Sequence, residues 1–299
     1  MHADEVPIAS ETVRALVDQQ FPRWRGLPIR RLETAGTVNA VFRIGDGLSA
    51  RFPRRPGEPE ALRRTLLAEA EAARRIAAVA TVPTPLPVAV GDPGPGYPMP
   101  WSVQTWLPGA TAEETDPATS EAFAADLAEL VAALRGADTR GERFTGDGRG
   151  GDLREHDEAV DGYLGRSEGL LDVPRLRAMW VGFRELPRRD PDAMTHGDLI
   201  PGNVLVSSAP AGVRLAGVLD VGGFAAADPA LELVGAWHLL DDGPRAVFRR
   251  ACAIDDLQWE RGRAWAFVQA VGLVEYYLRS NPPMSRLGSR TLERLVATG

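Results

Sequence analysis

The sequence predicts an α+β chain of two lobes, a small antiparallel-sheet lobe over residues 1–108 and a mainly helical lobe over residues 109–299. Three observations carry that prediction. The first 108 residues hold about five strand-like stretches and one long helical stretch. The composition shifts at Pro108-Gly109, a pair that breaks regular structure. From Ser120 onward apolar residues recur mostly at helical spacing.

The elements follow in order. Ser10 is placed to cap a first helix, in which Val13, Leu16, Val17 and Phe21 form an apolar stripe. Pro28 to Leu32 and Ala40 to Ile44 read as strands. Gly45-Asp46-Gly47 signals a hairpin turn into a third strand, Leu48 to Phe52. Glu60 to Val79 is predicted helical, with Pro59 suited to the first helical position. The prolines of Val82 to Pro87 force an extended stretch, and Trp101 to Leu107 reads as a further strand. Beyond Ser120 the predicted helices are Phe123 to Leu134, Leu153 to Leu164, Val173 to Leu186, Pro229 to Leu240, Pro244 to Cys252, Leu257 to Arg279 and Arg286 to Ala297. The glycine-rich stretch 141–152 is predicted to be a mobile loop.

Composition narrows the classes of function. At 299 residues the chain is long for one compact domain and comfortable for two lobes sharing a cleft. A net charge of −7 without a basic block argues against nucleic-acid binding. No apolar run approaches the length of a membrane span, and no secretory signal opens the chain, so no membrane partner is expected. Cys252 is the single cysteine, which fits a reducing cytoplasm. All 34 basic residues are arginine, a bias most simply traced to a GC-rich coding sequence.

One stretch concentrates the chemistry, Thr195 to Asp220. It opens with His196-Gly-Asp198, places Asn203 five residues after Asp198, and ends on Asp220 at the tip of an apolar run. Phosphoryl transfer needs positioning and charge neutralisation above all. Asp198 can accept or orient the proton of a substrate hydroxyl. Asn203 and Asp220 can give oxygens to a magnesium ion, and His196 can brace the loop by hydrogen bonds. The bland alternative is a tight turn in which Asp and Asn serve as local caps.

The run His196-Gly-Asp-Leu-Ile-Pro-Gly-Asn203-Val-Leu-Val206, followed by Val218-Leu-Asp220-Val-Gly-Gly, resembles the catalytic and metal motifs of the aminoglycoside phosphotransferase family. These antibiotic kinases include macrolide phosphotransferases and share the protein-kinase-like fold. Asp228-Pro-Ala-Leu-Glu232 is similar to the family's Asp-Pro-x-x-Asp motif, with Glu in the last place. The Asp198 to Asn203 spacing also matches the protein-kinase catalytic loop. The resemblance extends from Leu32 through the C-terminal helices.

That resemblance implies the remaining parts. The nucleotide-covering loop falls on Glu33 to Ala40, with Gly36, Thr37 and Asn39, although one glycine falls short of the protein-kinase Gly-rich loop. The phosphate-gripping lysine of related kinases is replaced by Arg51, which stays charged and can contact phosphate through two nitrogens. Its ion-pair partner on the following helix is Glu69, with Glu71 the near alternative. Those two point about 200° apart on a helix, so only one can serve. Backbone groups of Thr105 to Leu107 would read the adenine edge. Val221 stands where protein kinases place a phenylalanine, and Asp228 is expected to be structural, fixing the backbone of the catalytic loop.

The resemblance thus implies an ATP- or GTP- and Mg2+-dependent phosphotransferase acting on a hydroxyl of a small molecule, with an aminoglycoside favoured and a macrolide next. A kinase of another metabolite and a non-catalytic nucleotide-binding protein are the alternatives, and the assembly is a monomer or a dimer. Acceptor contacts are expected from Asp157, Asp241, Glu275 and Tyr276, with Glu158, Asp161, Asp242, Glu260 and several aromatic residues as further candidates. A polycationic aminoglycoside would need several of those carboxylates to converge.

Overall fold

The structure is a computed structural model that describes residues 6–32, 38–146, 148–209 and 212–297. It divides into two compact units. One comprises the described residues up to Ala78, Pro83–Pro108 and Asp220–Gly223, and the other comprises Val79–Val82, Gly109–Leu219 and the described residues from Phe224 onward.

The first unit is built on a five-stranded antiparallel sheet, ordered β1-β2-β3-β5-β4. Its strands are β1 (Ile29–Leu32), β2 (Asn39–Ile44), β3 (Leu48–Pro53), β4 (Pro87–Gly91) and β5 (Trp101–Thr105). The period-2 alternation of β2 and β3 buries Ala40, Phe42 and Ile44 together with Ala50 and Phe52. Phe52 stacks on Trp101 with centroids 4.7 Å apart, against helix α1 (Ser10–Gln20) and its buried Val13, Leu16 and Val17. The same alternation turns Arg51 away from Phe52, toward the other face. There a cavity of about 290 Å3 is lined by Arg51, by Glu69 of helix α2 (Pro59–Ala77), by Ser102 and Gln104 of β5, and by Gly222.

Several local expectations are corrected. Ser10 is the first helical residue, and the N-cap is Ala9, with no side-chain cap bond. At α2 Pro59 takes the first helical position as expected, and the cap is the Glu58 carboxylate, which accepts from Glu60 N at 3.0 Å and Ala61 N at 2.7 Å. The fourth strand begins at Pro87, where the extended proline stretch ends. Pro83 and Pro85 have no N–H to offer a ladder, and a proline is tolerated as the first residue of a strand.

In the second unit β6 (Ala110–Thr111), β8 (Val204–Ala209) and β9 (Gly212–Val218) form a three-stranded sheet ordered β6-β8-β9. β7 (Ala193–Thr195) pairs antiparallel with β10 (Ala225–Ala227). The helices are α3 (Glu121–Arg135), α4 (Asp157–Arg166), α5 (Val173–Phe183), α6 (Gly235–Leu239), α7 (Asp242–Ala251), α8 (Asp256–Tyr276) and α9 (Pro282–Ala297). Ser120 caps α3 through its hydroxyl, which accepts from Phe123 N at 3.2 Å. The single helix expected from Leu153 is a 3-10 turn, Leu153–His156, followed by α4, because the Asp152 carboxylate caps Arg154 N and starts the turn. The α+β class, with a small antiparallel sheet followed by a mainly helical part, is as the sequence predicts. Among the described residues no helix is long and apolar enough to cross a membrane.

Candidate active site

The stretch from His196 to Asn203 is a loop held at both ends by strands, β7 before it and β8 after it. Gly197 has φ +72°, a left-handed conformation, and a Cβ there would meet Leu231 at 3.1 Å, so the loop needs glycine at this point. The two backbone N–H groups at this bend, of His196 and Gly197, both donate to Glu232 Oε2, at 2.7 and 3.0 Å. Glu232 is completely buried, and burial pushes its carboxyl above the ordinary glutamate range against the opposing pull of His196 and the two N–H donors.

His196 is a brace. Its Nε2 lies 2.8 Å from the Leu219 carbonyl, which can only accept, so Nε2 carries the proton and Nδ1 accepts from Asp198 N at 3.3 Å. Both ring nitrogens are thereby engaged with backbone. Leu219 N in turn donates to Asn203 O at 2.8 Å, which ties the end of β9 to the loop.

Asp198 is about a third exposed and receives three side-chain donors. Asn203 Nδ2 donates to its Oδ2 at 3.0 Å and also to its backbone carbonyl at 3.0 Å. Arg149 Nη2 donates to Oδ1 at 3.2 Å, and Gln269 Nε2 lies 3.5 Å from the same oxygen. A carboxylate offers about four lone-pair sites, so roughly one is left to take a proton from an incoming hydroxyl. Because Asn203 uses its amide nitrogen on Asp198, its amide oxygen remains for another partner, which suits a hard cation.

Asp228 supports the region by a different route from the one expected. Its carboxylate accepts from Arg261 Nε and Nη2, at 3.0 and 2.5 Å, and from Trp265 Nε1 at 2.8 Å, and it caps Ala230 N at 3.0 Å. Its backbone N donates to Gly150 O at 2.9 Å, which fixes the residue next to Arg149. The catalytic-loop backbone itself is held by Glu232. This corrects the expectation for Asp228: the longer glutamate in the motif's last place reaches the two N–H groups.

In the sheet unit Arg51 Nη2 donates to Asp220 Oδ1 at 2.6 Å. Asp220 has φ +55°, a conformation rare outside glycine and best tolerated by Asp and Asn, and strain of this kind collects at functional positions. The helix ambiguity resolves to Glu69. Its carboxyl is raised by burial, lowered by Arg51 and raised again by Asp220, so it lies in the field of both. A Cβ at Gly222 would stand 3.0 Å from Glu69 Cβ, so this glycine lets the chain after Asp220 come close to α2. Glu71 is exposed and pairs with Arg74 instead. The direct bond expected between Arg51 and its helix glutamate is replaced by the one to Asp220.

Of the nucleotide-loop residues, Asn39 opens β2, while Gly36 and Thr37 lie outside the described residues. Thr105 N donates to Leu86 O and Trp106 N donates to Gly47 O, so those two N–H groups are committed within the unit. The expected adenine-reading stretch is thereby narrowed to Leu107 as the N–H donor.

The acceptor candidates are corrected most. Asp157 accepts from Arg184 Nη2 at 2.6 Å and from Trp180 Nε1 at 2.9 Å, and these bonds hold its carboxyl below the usual range. Asp241 pairs with Arg294 at 2.7 Å and Glu275 with Arg166 at 3.1 Å. Asp161, Asp242 and Glu260 are likewise engaged by Arg177, Arg245 and Arg263. Each of these six carboxylates thus has an arginine partner, while Glu158 is exposed. Trp237 and Trp265 are core residues, whereas Tyr276 is exposed and meets Tyr277 edge-on. A cavity of about 620 Å3 in this unit is lined by Pro201 and Gly202 of the loop, together with Glu113, Asp116 and Glu293.

Arg149, Glu232, Gln269 and His238 were not singled out as site residues from the sequence. The motif's last place flags Glu232, whereas no spacing rule flags the other three.

Known proteins resemble this chain in sequence pattern and in fold. The sequence model of a family described as the phosphotransferase enzyme family matches residues 29–269. A search of curated proteins finds no match. The structure is similar to the GDP and kanamycin complex of APH(2")-IIia, at 18% identity over 96% of this chain and 99% of that one, with a TM-score of 0.70. It is also similar to the macrolide 2'-phosphotransferase MphH from Brachybacterium faecium, at 20% identity over 93% and 97%, with a TM-score of 0.61. The gentamicin complex of APH(2")-IIa gives 15% identity over 96% and 97%, with a TM-score of 0.61. At these identities the likeness is one of fold.

Proposed function

The chain belongs to the phosphotransferase enzyme family, and on that premise we propose that it transfers the terminal phosphoryl group of ATP or GTP to a hydroxyl of a small acceptor, with Mg2+ as the metal. The favoured acceptor is an antibiotic, an aminoglycoside first and a macrolide next, and the setting is cytoplasmic. The observation that carries the reading is the Asp198 carboxylate, fixed by Asn203, Gln269 and Arg149 with about one acceptor site left.

Asp198 takes the proton of the attacking hydroxyl. Arg149 offsets negative charge beside it as the phosphoryl group arrives. Arg51, placed by Asp220 and Glu69, grips phosphate, Gly36, Thr37 and Asn39 cover the nucleotide, and Leu107, beside Thr105, meets the adenine edge. Asn203 and Asp220 each offer Mg2+ an oxygen. A Mg2+ ion of this kind is usually held through one or two protein oxygens together with the phosphates. When bound, Mg2+ supplies charge neutralisation on the phosphates.

One observation favours the macrolide as the second reading. Asp157, Asp241 and Glu275 are each paired with an arginine, which leaves these three carboxylates less available to a polycation.

The test is a screen of the purified protein with labelled ATP and, separately, GTP against aminoglycosides, macrolides, sugars, amino alcohols and homoserine. Transfer to an antibiotic supports the reading. Transfer only to a metabolite replaces the acceptor, and nucleotide binding without transfer to any compound selects the non-catalytic alternative. Two variants refine it. In Asp220→Ala, Mg2+ no longer strengthens nucleotide binding in a calorimetric titration, and an unchanged Mg2+ effect counts against Asp220 as a ligand. Arg149→Ala lowers kcat by roughly tenfold, the scale of one hydrogen bond to a charged group, measured at saturating substrates.

A further inference from the structure

Behind the exposed face of Asp198 a chain of buried polar side chains extends from Gln269 to His238 and Thr291, and the reaction as described does not use the last two. Gln269 on α8 is 5% exposed, and its Nε2 donates to Gly197 O at 3.0 Å and lies 3.5 Å from Asp198 Oδ1. Its Oε1 lies 2.7 Å from His238 Nε2, on α6. An amide oxygen can only accept, so His238 carries its proton on Nε2, and its Nδ1 is left to accept from the Thr291 hydroxyl of α9 at 3.0 Å. His238 is 2% exposed and Thr291 fully buried. Burial pushes the His238 imidazole down to about 4, so it is neutral at ordinary pH and the proton assignment is stable.

Every bond in this chain therefore has a fixed direction, from Thr291 through His238 and Gln269 to the loop. Among the described residues Gln269 is also the one donor to Asp198 that is buried and itself braced. Arg149 is partly exposed, and Asn203 belongs to the loop it holds.

We propose that Gln269 is a positioning residue for the reaction, held in register by His238 and Thr291, and that it sets the direction in which Asp198 presents its remaining lone pair. The inference rests on the reading of Asp198 as the proton acceptor. Its role is on the chemical step: a carboxylate free to rotate still binds substrates but is aligned with the attacking hydroxyl for less of the time.

The test is a double-mutant cycle on the full chain, with the best acceptor found in the screen. Gln269→Leu is expected to lower kcat by roughly tenfold, the scale of a lost hydrogen bond to a charged group, with both KM values within about twofold. In an Asp198→Ala background the same substitution is expected to cost less than about twofold, because the residue it acts through is gone. An equal loss in both backgrounds overturns the proposal, since a merely structural role would not depend on Asp198. If Asp198→Ala itself keeps near-full activity, the reading of Asp198 fails instead, so the two failures are distinguishable. Should Gln269→Leu not fold, Gln269→Met carries the same cycle, because it keeps the length of the side chain, places no charge beside Asp198 and has no N–H for the loop. Thr291→Val is expected to lower kcat a few-fold and Thr291→Ser, which keeps the hydroxyl, to restore it. Equal kcat in the two would remove His238 and Thr291 from the chain.

Discussion

Asp198→Ala is expected to lower kcat by roughly 10²–10⁴-fold, the usual contribution of a positioned general base. That is a loss of about 3–5 kcal/mol in transition-state stabilisation. The loss belongs in kcat because a general base acts on the attacking hydroxyl, while Arg51 and Asp220, assigned to the nucleotide, are paired with each other within the sheet unit. KM for the nucleotide is expected to stay within about twofold, a split that marks an interaction made in the transition state. Steady-state kinetics with both substrates varied measures it. Near-full kcat would remove Asp198 from the chemistry, while a raised nucleotide KM with unchanged kcat would turn it into a binding residue.

The second large effect falls on stability. Glu232→Ala removes a buried acceptor from two backbone N–H groups, of His196 and Gly197, at the tightest point of the loop. Each buried donor left unpaired costs about 1–3 kcal/mol, so a total of roughly 2–6 kcal/mol is expected. Against a typical net stability of about 5–15 kcal/mol this is severe. Glu232→Gln keeps an acceptor of the same length and is expected to stay folded at neutral pH.

The pH dependence separates the two variants further. Burial raises the Glu232 carboxyl above its ordinary value of 4.5. Between that value and the raised one, the folded chain holds a proton that the unfolded chain has lost. This contribution to stability is fully present below 4.5 and is lost as pH rises through the folded value. His238 acts with the opposite sign: its imidazole falls from 6.5 to about 4, so its contribution is lost as pH falls through that window. Urea midpoints of wild type and Glu232→Gln, compared from pH 4 to 8, cancel the His238 contribution and leave the Glu232 slope. The difference between the two midpoints should shift toward the glutamine variant as pH rises. A constant difference would mean that burial does not raise this carboxyl.

Much of the arrangement was legible without coordinates because it closes over few residues. Asp198 and Asn203 stand five apart on one loop, and the amide bonds directly to the carboxylate. The strand read over Leu48 to Phe52 is present, and in it alternation turns Arg51 away from Phe52. The apolar patterns gave the main helices and strands, with boundaries that moved where a cap or a missing N–H decided them, as at Asp152 and Pro87.

Other features depended on packing between elements distant in sequence. Helical geometry established that only one of Glu69 and Glu71 could face Arg51, but which one depends on the rotation of α2, and that follows from what the whole helix buries. Counting carboxylates on the helices suggested an acidic acceptor site, because a count carries no information about which arginine folds against which acid. Arg184 closes on Asp157 and Arg294 on Asp241 only in the folded chain. Arg149, Gln269 and Glu232 reach the loop from 35 to 72 residues away along the chain.

By itself, the sequence determined the α+β class, the order of the main elements and the acid, amide and acid of the central motif, all of them set by local backbone geometry and short spacing. Only the tertiary structure decided which donors hold Asp198, which glutamate braces the loop and which carboxylates are already paired with an arginine. The reason is that a hydrogen bond or ion pair between distant segments is fixed by the rotation and depth at which each helix packs, and that is a property of the assembled core.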